Sequence, residues 1–385
     1  MHPTEAVLVS HTAGRGRNGA GITWDERRNE LLWLDTEQHL AHRARVGRGG
    51  AVSQVCDYHL PGRPGAIVPV AGDDGWLVTI EGSVHLLRPD GSTLRLAGVA
   101  PTGVRLNDAA CDSLGRLWAC TTADGPLGPA GALYRLDPDG ELRLVADEFL
   151  VANGLGWSPD GATMYLADRG ARVVYSFVFD VDRGELGPRQ VLFALEDATG
   201  VPSGLTVDAH GDLWIAMRGG SAVRRHRADG TLSAVVGVPA AEVTSCTFGG
   251  RSLRTLYVIT GTNGRRRGEA TRVDEPDLAR LFQVDTSARG QPALPCRPAP
   301  RWWARTVRAD PPRTTDGRHH YEIVVAGGYG SMIESALSDF EVTPVRGGIV
   351  HLSGSVVDQA ALHAALLRLQ DLHLEVLEVH RLSGH

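Results

Sequence analysis

The chain reads as all-β, a six-bladed β-propeller over residues 1–297, followed after a linker (298–318) by a small α+β domain over 319–385. Three observations predict this. Six similar apolar runs recur: Leu32-Trp33-Leu34-Asp35, Trp76-Leu77-Val78-Thr79, Leu117-Trp118-Ala119-Cys120, Met164-Tyr165-Leu166-Ala167-Asp168, Leu213-Trp214-Ile215-Ala216 and Leu256-Tyr257-Val258-Ile259-Thr260. Their spacing of 41 to 49 residues is that of successive four-stranded blades. Turns such as Asp112-Ser113-Leu114-Gly115 and Asp208-Ala209-His210-Gly211 precede them. The composition agrees, with 47 glycines, 21 prolines and 42% hydrophobic residues in a chain of 385, enough for one large and one small domain. In such a ring, small inner-strand residues and loops surround one central channel, and ligand or metal sites sit at its mouth.

Taken in order, Ala6 to Ser10 is an isolated strand expected to pair beside Leu281-Phe282-Gln283-Val284 and so close the ring. The apolar runs are expected to lie next to the channel, with Asp35 and Asp168 at the ends of inner strands. Residues 298–318, rich in Arg and Pro, form the linker, and Trp302-Trp303 is expected to pack it onto the propeller. Beyond it, Tyr321–Val325, Glu341–Val345, Gly348–Leu352 and Val376–Leu382 read as strands. Ser331–Leu337 reads as a short helix. Asp358 is an N-cap for a second helix carrying Leu362, Leu366, Leu369 and His373. The order βαββαβ is ferredoxin-like. His363, His373 and His380 read as surface residues, and the domain suits a lid, a homodimer contact or a docking module.

Composition excludes several functions. A net charge of −6 gives no electrostatic case for nucleic acid, and Arg265-Arg266-Arg267 reads as a solvated loop without interleaved aromatics. The chain contains no lysine, which excludes a lysine Schiff base, a PLP aldimine and a P-loop. Its five cysteines show no CxxC pair and indicate neither a zinc knuckle nor a disulfide framework. Cys111 and Cys120 fall in strands, where a thiol acts as a small hydrophobe. No signal pattern or membrane-length apolar run is present, so a soluble, cytoplasmic protein is expected.

Polar clusters precede several of the apolar runs: Arg105-Leu106-Asn107-Asp108, Asn153-Gly154-Leu155-Gly156-Trp157-Ser158-Pro159-Asp160-Gly161, Gly200-Val201-Pro202-Ser203-Gly204-Leu205 and Phe248-Gly249-Gly250. Together with Gly131-Ala132-Leu133-Tyr134-Arg135, they make the chain resemble the SMP-30/gluconolactonase family of six-bladed propellers over about residues 5 to 295. The resemblance implies one divalent cation (calcium, zinc or manganese) held by a Glu, an Asn and an Asp, the ion polarising a lactone carbonyl and the Asp acting as general base. The Asn matches Asn153. The Glu falls on Ala20, in Ala20-Gly21-Ile22-Thr23-Trp24, and the Asp on Ser203, in Pro202-Ser203-Gly204.

Both charged ligands are therefore replaced, and a neutral amide alone is a poor holder of a hard dication. Either carboxylates from elsewhere, with Glu81, Asp124 and Asp168 as candidates, rebuild the site, or the pocket works without metal. The expectation is that no cofactor is required. Ser203 has no histidine nearby in sequence to activate it as a nucleophile. The resemblance makes Arg105 and Asn107 the groups that bind ligand oxygens, and Asp124 an acidic contact of the same kind; Arg is suited to clamping a carboxylate or enolate. Against this stands a structural reading: an Arg105–Asp108 salt bridge, Asn107 in a turn, and Asn153-Gly154 as a plain turn.

Three functions follow. The leading one is an enzyme with a degenerate metal site acting on a small oxygen-rich metabolite by cyclisation, isomerisation or elimination, with Arg105, Asp124 and Ser203 as catalytic candidates and Asn107 and Asn153 binding substrate. The others are a metal-dependent lactone hydrolase with rebuilt ligands, and a non-catalytic binding or scaffold protein. An Ala/Gly/Arg-rich, lysine-free composition points to a high-GC bacterium and specialised metabolism, a link of association only.

Overall fold

The computed structural model describes residues 4–5, 7–10, 18–47, 51–99, 103–123, 131–137, 139–196, 200–262, 280–297, 319–326, 340–345, 349–356, 365, 368–369, 372 and 374–382. Two compact units divide the chain, Met1–Arg297 and Pro298–His385.

Among the described residues of the first unit, the strands form six sheets. Their first strands are Gly19–Asp25, Pro64–Pro69, Val104–Cys111, Ala152–Trp157, Val201–Val207 and Val243–Gly249. Each neighbours the next, and the last returns to the first, so the sheets close into a propeller-like ring. The expected place of the apolar runs needs correction. They are the second strands, Glu30–Asp35, Trp76–Ile80, Leu117–Ala123, Thr163–Asp168, Leu213–Arg218 and Thr255–Thr260, so Asp35 and Asp168 end second strands. Both faces of a second strand are covered by adjacent sheets, which is why Glu30–Asp35 and Trp76–Ile80 are buried at every position. The first strands face the channel and carry the polar clusters instead.

The core lies between successive sheets. Leu32, Leu34 and Tyr58 meet Ile67, Trp76 and Val78, while Trp24, Leu31 and Trp33 meet Tyr257 and Ile259 across the ring closure. The closing strand is found where the sequence predicts it: Val7–Ser10 runs antiparallel to Leu281–Asp285. Just before it, Thr4–Glu5 pairs in parallel with Leu232–Gly237, so one short segment caps the outer edges of two sheets.

The turns before the apolar runs are held by a repeated clasp. Asp112 accepts backbone N–H groups of Leu114 and Arg116 on one oxygen, and Trp118 Nε1 (2.9 Å) and Arg116 Nε on the other. Asp208 does the same with His210 and Asp212, then Trp214 Nε1 (3.0 Å) and Arg225. Both carboxylates are fully buried, and each is saturated by donors, as burial of a charge requires. Cys111, Cys120, Cys246 and Cys296 are buried free thiols.

In the second unit the sheet order is Phe340–Val345, Ile349–Val356, His319–Ala326, Glu375–Leu382, with every described pairing antiparallel. One face packs Ile323, Val325, Val350 and Leu352 against Ala365 and Leu369, which are four apart and helical. The expected helix Ser331–Leu337, Trp302-Trp303, Arg265-Arg266-Arg267, His363 and His373 lie outside the described residues. No helix among the described residues is long and apolar enough to cross a membrane.

Candidate active site

Each first strand slips register once against its neighbour: between Ala20 and Thr23, Pro64 and Ile67, Leu106 and Asp108, Ala152 and Leu155, Pro202 and Leu205, and Val243 and Ser245. A bulge adds a residue and re-aims side chains. Here the bulges bring Ala20, Asn107, Asn153, Ser203 and Ser245 to the wall of one cavity of about 250 Å³. Glycine allows the inner strands to meet: a Cβ on Gly65 would strike the Leu106 carbonyl, and one on Gly154 the backbone of Ser203 and Leu205.

The predicted residues form a chain of hydrogen bonds along this wall. Arg105 Nη1 donates to Asn107 Oδ1 (3.0 Å), and Asn107 Nδ2 donates to the Ala152 carbonyl (3.0 Å). Asn153, buried on the next strand, donates from Nδ2 to Ser203 Oγ (3.3 Å) and accepts from the Gly154 N–H (3.1 Å). Neither Asn107 nor Asn153 lies in a turn; both sit inside strands that line the cavity. Asp124 lies outside the described residues.

Asp108 is the group that the sequence reading passed over as a loop anchor. It lines this cavity and a second one of about 160 Å³, which also share Gly21 and Ser245, so the two lie along one channel with Asp108 at the neck. Residues 291–294 line the second cavity, where Gln291 Nε2 donates to the carbonyls of Trp157 and Val207. Burial pushes the Asp108 carboxyl up to about 7, offset in part by the Ala109 N–H on its Oδ1 (2.8 Å). Behind it the Cys120 thiol, pushed well up by burial, bridges the Asp108 and Asn153 carbonyls at 3.5 Å each.

Three further arginines, Arg63, Arg169 and Arg218, line the mouth cavity with Arg105. Arg63 directly precedes a strand, Arg169 directly follows one and Arg218 ends one, all outside the polar clusters of the sequence. The carboxylates considered for a rebuilt metal site serve the backbone here. Glu81 is exposed and its Oε1 accepts the Arg63 N–H (2.9 Å). Asp168 is buried and accepts the N–H groups of Leu150, Val151, Gly170 and Ala171. Asp35 likewise accepts those of Glu37 and Gln38.

Comparison with known proteins fits this arrangement. A family model described as SMP-30/Gluconolactonase/LRE-like region matches residues 18–262. The chain belongs to the SMP-30/gluconolactonase family. The pentonolactonase XacC of Haloferax volcanii is 31% identical over 278 residues, 72% of this chain and 93% of that protein. A 6-deoxy-6-sulfogluconolactonase of Pseudomonas putida is 32% identical over 272 residues, 66% of this chain and 91% of that one. The solved structure of a calcium-binding regucalcin from Agrobacterium tumefaciens aligns with a TM-score of 0.69 at 22% identity, over 77% of this chain and 98% of that one, and supports the fold. The relatives named as lactonases place this family member among enzymes. Residues 320–380 match a second model, described only as a domain of unknown function.

The family's divalent cation can be tested against the donors present. A hard dication wants several oxygens, mostly carboxylate. Among the described residues no group of three His, Cys, Asp or Glu side chains is arranged to hold a metal. At the cavity wall Ala20 offers no donor, Asn153 Oδ1 already accepts an N–H, and four guanidinium groups repel a cation. This donor set does not fit the ion.

Proposed function

We propose that the protein is a six-bladed, lactonase-like enzyme that performs metal-independent proton-transfer chemistry on a small oxygen-rich metabolite, such as ring closure or opening, isomerisation or elimination. The observation that carries this reading is the position of Asp108, at the channel neck and one residue from the Arg105–Asn107 pair. Arg105 and Asn107 hold a substrate oxygen and stabilise negative charge developing on it. Asp108, titrating near neutrality, exchanges the proton. Asn153 and Ser203, joined by a hydrogen bond, continue the same wall on the next two sheets and bind substrate oxygens. That Glu81 and Asp168 are engaged with backbone favours this over a hydrolase with a rebuilt metal site.

The C-terminal unit, with its 4-1-3-2 type strand order, is read as ferredoxin-like and as a homodimer contact. The same reading makes it a cytoplasmic bacterial protein of specialised metabolism.

The test is turnover of a panel of aldonolactones and open-chain aldonates, each with chelator, with added Mn²⁺ or Zn²⁺, and with Arg105→Ala. Activity indifferent to metal and lost in the variant is expected. Activity killed by chelator and restored by metal overturns the metal-independent reading. A saturable ligand with no product from any compound leaves only a binding protein.

A further inference from the structure

Among the described residues the mouth cavity is lined by four arginines, Arg63, Arg105, Arg169 and Arg218, and by two carboxylates, Asp108 and the exposed Glu37. The arginines come from four successive sheets of the ring. We propose that Arg169, flanked by Arg63 and Arg218, forms an oxyanion subsite, so that the substrate carries a carboxylate or phosphate group in addition to the oxygens held at Arg105. The inference rests on the small-molecule reading above and narrows its substrate class.

Three of these arginines, Arg63, Arg169 and Arg218, are fixed at the backbone or by one acid. Arg63 is pinned by Glu81 through paired bonds: its N–H donates to Glu81 Oε1, and its carbonyl accepts the Glu81 N–H. Arg169 follows Asp168, whose carboxylate gathers the N–H groups of Gly170 and Ala171 and so shapes the turn carrying Arg169. Arg218 is paired with Glu242 (Nε–Oε2 2.5 Å) where their backbones bridge. The acids thus orient Arg63, Arg169 and Arg218, and Glu242 also pairs directly with the Arg218 guanidinium.

Arg169 is the exception that points to a ligand. Among the described residues its guanidinium makes no hydrogen bond or ion pair, and it is largely enclosed at the cavity wall. Burial and then the charge of Arg218, with Arg63 adding to it, lower its pKa, opposed by Glu242 and Asp168. A cation held among cations costs folding stability, and the cost is offset when a bound anion completes the set. Guanidinium groups converging from separate strands can chelate the oxygens of a carboxylate or phosphate, and a neutral polyol offers them no charge to pair.

The test is calorimetric titration of the full-length protein with three probes of one skeleton: glucitol, gluconate and glucitol 6-phosphate. Gluconate or glucitol 6-phosphate is expected to bind at least ~10-fold tighter than glucitol, with the gap shrinking at high salt. The preferred probe tells carboxylate from phosphate. Arg169→Gln and Arg169→Met should each lose most of that preference while melting at the same or a higher temperature, because they relieve repulsion and orphan no partner. Equal affinity for all three probes overturns the subsite and leaves the proposed enzyme standing. An anion preference that survives in both folded variants overturns the role of Arg169. Failure of all three probes to bind overturns the subsite as drawn, and the proposed enzyme is then judged by its turnover panel.

Discussion

Asn153 Nδ2 donates to Ser203 Oγ across 3.3 Å, joining the inner strands of two adjacent sheets. In the family resemblance both positions belong to the metal; here they satisfy each other. Titration of the wild-type protein with Ca²⁺, Mn²⁺ or Zn²⁺ is therefore expected to show no stoichiometric binding. Ala20→Glu combined with Ser203→Asp supplies two carboxylates beside Asn153 and is expected to gain it. Stoichiometric binding by the wild type that Asn153→Ala removes would sink the metal-free reading.

Arg105 is held by Asn107 and faces the cavity, so its loss removes charge stabilisation without opening the core. Arg105→Ala should lower kcat/KM by about 100-fold or more on any productive substrate while the melting temperature changes little. Measuring kcat and KM separately shows whether the effect lies in the reacting complex or in ground-state binding.

Asp108 couples the site to pH. Burial raises its folded-state value to about 7, above the ordinary carboxylate range, so the folded chain binds the proton more tightly than the unfolded one. Stability from this group is full in acid and falls as pH rises between about 4 and 7. Asp108→Asn should melt higher than wild type at pH 8 and match it near pH 4, yet lose turnover. Melting curves of both proteins across this range decide it; a variant less stable than wild type at pH 8 would contradict the assignment.

The clasp at Asp208 bears on the ring itself. Its carboxylate, fully buried, takes Trp214 Nε1, Arg225 and two backbone N–H groups. Asp208→Ala leaves those donors unsatisfied and should cost about 3 kcal/mol by urea unfolding. A loss below about 0.5 kcal/mol would show that water replaces the carboxylate freely.

Gly154 sits where the inner strand approaches Ser203 and Leu205 too closely for a side chain. Gly154→Ala should therefore destabilise by about 1–3 kcal/mol and also impair the site, since the strand carrying Asn153 must shift. Parallel melting and turnover measurements test both parts.

The repeat period, the closing strand Val7–Ser10 and the family were legible in the sequence, because apolar runs and turn chemistry are local signals that each sheet repeats. So were Arg105, Asn107, Asn153 and Ser203 as residues of one pocket, through ordered motifs that the bulged strands do bring together. That positions 20 and 203 carry Ala20 and Ser203 and no carboxylate is read from the sequence itself. Only the tertiary structure decided that the apolar runs are second strands, since that depends on which faces neighbouring sheets cover. It alone placed Asp108 at the channel neck and set Arg63, Arg169 and Arg218 around one mouth, and it assigned Glu81 and Asp168 to the backbone. The arginines of the mouth come from different sheets, about 40 or more positions apart, while the Glu81 and Asp168 contacts span 18 positions or fewer within one sheet; in both cases a charge's role is set by the partners that folding brings to it.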